Sequence, residues 1–137
     1  MKPLFADAGA SPSLALFAYG QLLQGQPLAW VLPAAGMVSA KLQGRLWRMP
    51  SGSVLLSIEP RGSWVLGELH PHPAAASLRA LPGLLAAPDV QSSFEQVRVR
   101  VGTRAQLVQV WATPEDQLTR AGAHPLASGD WRRIAPR

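Results

Sequence analysis

The sequence predicts a single α+β domain built around a barrel-like sheet, and three observations carry that prediction. Short apolar runs bounded by turn signals recur along the chain, and only one stretch reads as a convincing helix. The third is length, since 137 residues leave too little surface for a second independent core. A doubly wound sheet would need several helices alternating with strands, which this pattern does not offer. No internal repeat, low-complexity tract or interdomain linker interrupts the chain.

Residues 1–13, MKPLFADAGASPS, read as a loose lead-in, with one domain over 14–137. The stretch LALFAYGQLLQG, residues 14–25, opens that domain as a buried apolar strand running into a glycine turn. Gly20 has no Cβ, so the chain can turn sharply there and approach a ligand closely. Successive N–H groups of Gly20, Gln21 and Leu22 would then be free to grip a carboxylate or carbonyl oxygen, with Tyr19 at the rim. Pro27 to Ala35 reads as a short irregular or helical segment. Residues 37–49 read as a strand with Leu42, Gly44 and Leu46 on one face, and Val54 to Ile58 return as another. In the strand Ser63 to His70, Trp64, Leu66, Glu68 and His70 share one side and Val65, Gly67 and Leu69 the other. The helix is expected from Pro73 to Leu81, ended by Pro82-Gly83. Phe94 to Val101 and Ala105 to Ala112 form a strand pair joined at Gly102-Thr103, followed by a short helical or turn segment over Pro114 to Gly122.

Composition narrows the function classes. With 47% apolar and 15% charged residues the chain is globular. No apolar run approaches the ~20 residues that span a bilayer, and residues 1–13 lack the layout of a secretory signal, so a soluble cytoplasmic protein is expected. The absence of cysteine excludes disulfides, thiol nucleophiles and thiolate zinc sites. A net charge of +5 raises the question of an anionic polymer, but the arginines are scattered and only Arg98, Arg100 and Arg104 suggest a patch. A solvated strand face accounts for them, and no nucleic-acid partner is expected. The bias of 11 arginines to 2 lysines is the habit of GC-rich bacterial coding sequences.

Motifs with chemistry are few. His70, His72 and His124 lack the spacing and the carboxylate company of a metal site, and they read better as a strand leaving its sheet. No serine has the strand-elbow-helix surroundings of a hydrolase nucleophile. There is no phosphate loop or dinucleotide fingerprint, and nothing calls for a cofactor. Among the tryptophans, Trp47 and Trp111 are the expected pocket-wall residues. Asp130, in Ser128-Gly129-Asp130-Trp131, is expected to accept backbone hydrogen bonds in a turn that anchors the C-terminal region.

Five landmarks, in order, carry a resemblance. They are Phe17-Ala18-Tyr19-Gly20 with Leu22, Gly44-Arg45-Leu46-Trp47, Val65-Leu66-Gly67-Glu68-Leu69, the run Phe94 to Val101, and Gly129-Asp130-Trp131. Together they resemble the γ-glutamylcyclotransferase, or AIG2-like, family. The resemblance implies a small mixed β-barrel with flanking short helices and a small γ-glutamyl or related amino-acid-derived ligand. The implied reaction is attack of the ligand's free amine on its own γ-amide, releasing 5-oxoproline. In the family a glutamate just after the helix serves as base, in a Leu-Asp-x-x-Glu-Gly segment. The matching residues here are Leu78-Arg79-Ala80-Leu81-Pro82-Gly83, which set Pro82 where the glutamate would be.

Proline cannot move a proton, and loss of a general base costs ~10²–10⁴-fold in rate. Glu68, Asp89, Glu95 and Asp130 are the carboxylates available to substitute. Glu68 is the catalytic candidate, provided that the face it shares with Trp64 and Leu66 lines the barrel. The competing expectation is a rim carboxylate tied to an arginine or to backbone N–H groups. Glu95, next to Phe94, would face the core only in an unusual register. Two functions follow: a cyclotransferase-like protein with a pocket of Tyr19 to Leu22, Trp47 and Glu68, or a non-catalytic relative acting as small-ligand binder or protein-interaction module.

Overall fold

A computed structural model describes residues 9–135; the first eight residues of the expected lead-in lie outside that range. Ten elements follow in order: β1 (Leu16–Ala18), β2 (Val38–Arg48), β3 (Val54–Ile58), β4 (Trp64–His70), α1 (Ala75–Leu84), β5 (Ser93–Val101), β6 (Arg104–Ala112), α2 (Glu115–Arg120), β7 (His124–Pro125) and α3 (Trp131–Ile134). Two 3-10 turns, Gly20–Leu22 and Ala29–Val31, bridge β1 and β2.

The long strand β2 organises the sheet. Its first half pairs antiparallel with β4 from Val38↔Leu69 to Gln43↔Trp64, and its second half pairs with β3 from Gly44↔Ile58 to Arg48↔Val54. The strands run in the order β2, β4, β1, β6, β5, and the pairing of Lys41 with Arg100 closes β5 back onto β2. The result is a closed five-strand mixed barrel, parallel only between β1 and β6, with β3 and β7 added on β2. The closing contact is narrow, a single pair of positions between β2 and β5.

Two apolar layers follow from strand alternation. Phe17, Tyr19, Leu42, Leu46, Leu56, Val65, Leu69, Val99, Val108 and Val110 fill the barrel together with Trp131. The opposite faces of the same strands contribute Leu16, Ala18, Trp47, Leu55, Phe94 and Trp111 to a second layer outside the barrel, which Leu78, Leu81 and Leu85 of the α1 region cover. Residues 11–14 are tied down by Gln109, whose Oε1 accepts from the Ser11 amide at 2.8 Å while Nε2 donates to the carbonyls of Ser11 and Leu14.

Three local expectations need correction. Helix α1 does not stop at Pro82-Gly83 but runs through Pro82 to Leu84, because a proline so near the end forfeits a single backbone bond, and the Leu85 amide still reaches the Leu81 carbonyl at 2.9 Å. Asp130 accepts a backbone hydrogen bond through its carbonyl, from the Arg133 amide at 3.1 Å, and not through its carboxylate, and its own amide donates to Ser128 Oγ at 3.0 Å. Phe94 packs outside the barrel against Trp111, so its neighbour Glu95 sits on the inward side of β5 at the barrel mouth without any irregular register.

Candidate functional site

The chain leaves β1 at Tyr19 and reverses at Gly20, whose φ of +59° is a left-handed conformation that glycine adopts without strain. A Cβ at Gly20 would also meet Val54 Cγ1 at 2.9 Å. The Leu22 amide closes the 3-10 turn on the Tyr19 carbonyl at 3.1 Å, and the Leu23 amide bonds the Gly20 carbonyl at 3.2 Å. Leu22 therefore spends the N–H that was expected to be free. The amides of Gly20 and Gln21 open the turn, at the end where a helix leaves its N–H groups unmatched.

The side chains expected to surround this turn are divided between layers. Tyr19 points into the barrel, 1% exposed, and its hydroxyl donates to the Trp111 carbonyl at 2.6 Å. Burial pushes that hydroxyl's pKa upward, so it stays a neutral donor. Leu22 and Trp47 sit together in the outer apolar layer, and Trp47 Nε1 donates to Ser57 Oγ at 2.9 Å. Trp111 joins them there with its ring edge-on to Phe94, its own Nε1 buried without a partner.

Glu68 lies on the outer face of β4. Trp64 and Leu66 on its side are 38% and 44% exposed, whereas Val65 and Leu69 on the other side are in the barrel core. The condition attached to Glu68 as a catalytic residue, a face that lines the barrel, is therefore not met. Glu68 is nevertheless buried, because the segment after the Gly20 turn and α3 both cover it. The Gln24 amide donates to Oε1 at 3.0 Å and to Oε2 at 3.3 Å, and Arg132 Nη2 reaches Oε2 at 2.5 Å while also donating to the Gln24 carbonyl at 3.0 Å. An arginine and a backbone N–H are the partners expected of a structural carboxylate. Gln24 and Arg132 went unrecognised in the sequence; the only signal was that Arg132 follows the Gly129-Asp130-Trp131 motif directly.

His70, two residues on along the same face, is 4% exposed, with Nε2 unpartnered. Burial lowers its pKa from the ordinary histidine value, opposed by the nearby Glu68 charge and by a hydrogen bond to the Pro33 carbonyl. A cavity of about 230 Å³ lies beside it, walled by Leu32, Pro33, Pro71 and Pro73. Another of about 260 Å³ opens at the barrel mouth between Ser57, Glu95, Thr113 and Glu115. Neither is lined by Tyr19, Gly20, Gln21, Leu22, Trp47 or Glu68. Asp89, another possible substitute, sits with positive φ in the loop between α1 and β5, beside Gln117 and Arg120. Among the described residues, no three His, Cys, Asp or Glu side chains gather to hold a metal, and no helix is long and apolar enough to cross a membrane.

Residues 16–133 match the family model described as "Gamma-glutamyl cyclotransferase, AIG2-like". No curated protein matches the chain. Among solved structures the fold is similar to YkqA from Bacillus subtilis, with a TM-score of 0.61 and 16% identity over 88% of this chain and 40% of that one. This chain thus spans well under half of that protein's length. It is also similar to the uropathogenic E. coli-specific protein c4763, with a TM-score of 0.60 and 16% identity over 88% and 94% of the two chains. An AIG2-like protein from Mus musculus aligns with a TM-score of 0.50 and 20% identity over 73% and 76%. At such identities these likenesses concern the fold.

Proposed function

The chain belongs to the γ-glutamyl cyclotransferase, AIG2-like family, and from that premise we propose that it recognises a small γ-glutamyl or related amino-acid-derived ligand without turning it over. The observation that carries this reading is the state of Glu68. Cyclisation to 5-oxoproline needs a group to take the proton of the attacking amine and return it to the leaving nitrogen. By the resemblance, the family's glutamate is replaced by Pro82, which has no ionisable group. Glu68 lies near the turn, since Ala18 pairs with it across the ladder, but both its oxygens are engaged by the Gln24 amide and one also by Arg132. Held in this way by the Gln24 amide and by Arg132, the carboxylate is placed as a structural clamp and not as a group turned toward an attacking amine.

Recognition needs less. What supports recognition is the 3-10 turn itself, whose first amides, those of Gly20 and Gln21, have no partner within the turn and are the donors proposed for a carboxylate or amide oxygen. Gln21 is only half-buried, and its side chain donates to the Gly52 carbonyl at 3.4 Å.

The test has two arms. Purified protein incubated with a panel of γ-glutamyl amines is expected to release no 5-oxoproline above the uncatalysed background. In ¹H–¹⁵N spectra the same compounds are expected to shift the Gly20 and Gln21 amides first. Release of 5-oxoproline overturns the non-catalytic half of the proposal; a panel that moves neither amide overturns the ligand half.

A further inference from the structure

The barrel carries an exposed outer face that the ligand reading does not use. Strand pairing sets two rows of outward side chains across it. The first row runs Leu66 on β4, Lys41 on β2, Arg100 on β5 and Ala105 on β6, each paired with the next. The second lies two residues along: Trp64 pairs with Gln43, and Arg98 with Leu107. Apolar side chains stand at both ends of this face and cations in its middle. Trp64, Leu66 and Leu107 are 38%, 44% and 41% exposed, large for apolar residues, and Arg98 and Arg100 are exposed as well.

The cations have no carboxylate partner among the described residues. Lys41 Nζ stands 4.6 Å above the Trp64 ring centre, Arg100 makes one long bond to the Thr103 carbonyl, and Arg98 makes none. The carboxylates on flanking strand positions are committed elsewhere, Glu68 to Arg132 and Glu59 to Arg45. Arg104, grouped with Arg98 and Arg100 by sequence, pairs with Val101 and so belongs to the opposite face.

We infer that this face docks an extended acidic segment of a partner protein, with an apolar residue on either side of its acidic centre. Charge complementarity favours an anionic partner, because three cations without a carboxylate partner share one patch. Spacing favours a peptide: three strand-to-strand steps of ~4.8 Å separate the apolar ends, and alternate residues of an extended chain advance ~6.6 Å, so positions i and i+4 reach both ends while i+2 meets the cations. Single-stranded nucleic acid suits the face less well. Bases need open aromatic faces, and Trp64 already carries Lys41 over its ring while Leu66 and Leu107 offer no stacking surface. The inference stands independently of whether the Gly20 turn binds a ligand.

Fluorescence anisotropy of the labelled peptide Leu-Glu-Glu-Glu-Leu tests it, against Ser-Glu-Glu-Glu-Ser and an oligothymidylate at equal ionic strength. The leucine peptide is expected to bind roughly tenfold tighter than its serine counterpart, the worth of two partly buried apolar contacts. The R98E/R100E variant is expected to lose at least about tenfold, whereas R79E/R120E, with the same change in net charge at exposed positions on α1 and α2, stays within about twofold. L66S/L107S is expected to erase the preference for leucine. Circular dichroism verifies each variant's fold, and R98Q/R100Q, with a smaller loss in the same direction, replaces R98E/R100E should the latter not fold. Equal binding of the two peptides, equal loss in R79E/R120E, or tighter binding of the oligothymidylate overturns the inference.

Discussion

Removing the charge of Glu68 and removing its arginine should have unequal costs, and the inequality tests whether this carboxylate holds the structure together. The Glu68 side chain is 5% exposed and that of Arg132 46% exposed. Glu68→Gln keeps an oxygen for the Gln24 amide and leaves an arginine that water can reach, so the loss is that of one half-exposed ion pair, about 1 kcal/mol. Arg132→Ala instead leaves a carboxylate in a nearly solvent-free place with a single backbone donor, which approaches the penalty of a broken buried pair. A cost of about 3 kcal/mol is expected, the low end of the 3–5 range because solvent reaches the site from the arginine side. Urea unfolding of the single variants and of the double variant gives both numbers and their coupling, which should be at least about 1 kcal/mol because the groups touch. At roughly 4 °C per kcal/mol the losses also show as melting shifts of about 4 and 12 °C. Two neutral single variants with additive behaviour would refute the clamp.

The other predictions concern packing and pH. Gly129→Ala should cost about 3 kcal/mol or more, since a Cβ there overlaps the Trp64 carbonyl and the Val65 Cα, backbone atoms that cannot swing away; thermal melting of the variant checks it. His70 should make stability pH-dependent. Its folded pKa lies below the ordinary histidine value, so protonation favours the unfolded chain: the contribution is complete above about pH 6.5 and is lost as pH falls from there toward the folded pKa, by at most ~1.4 kcal/mol per pH unit. Urea midpoints between pH 5 and 8 should show that slope, and His70→Gln should flatten it.

Much of the barrel was legible because its signals are local. The runs Val54 to Ile58 and Phe94 to Val101 stand between glycine and proline turns, and each emerged within a residue of its expected bounds. The two-residue strand β7 was not legible, since His124-Pro125 has no strand character of its own and pairs only because Trp47 and Arg48 of the long β2 lie alongside. Helix α1 overran its expected end because punctuation by Pro-Gly is a weak rule near a helix terminus, where one lost backbone bond is offset by Leu81 and Leu85 packing under the helix.

The site was harder to read for a reason specific to a small barrel with apolar layers on both sides of its wall. Alternation separates the residues of β4 into two sets without saying which set is inside, so an inward face for Glu68, Trp64 and Leu66 stands in the sequence only as a condition. Inside the barrel Val65 and Leu69 pack with Phe17 and Trp131, and a Cβ at Gly67 would overlap the Phe17 ring; the bulkier set turns outward, and Glu68 goes with it. Its burial then comes from residues 44 and 64 positions away, Gln24 and Arg132, brought over β4 by the turn after β1 and by α3. A carboxylate buried by distant covering segments is paired with whatever those segments supply, here an amide and a guanidinium. The same parity that takes Glu68 away from the barrel interior sets Leu66 and Trp64 beside Lys41 and Arg100, so one choice of face decides both the loss of a candidate base and the presence of a cationic, apolar-flanked surface.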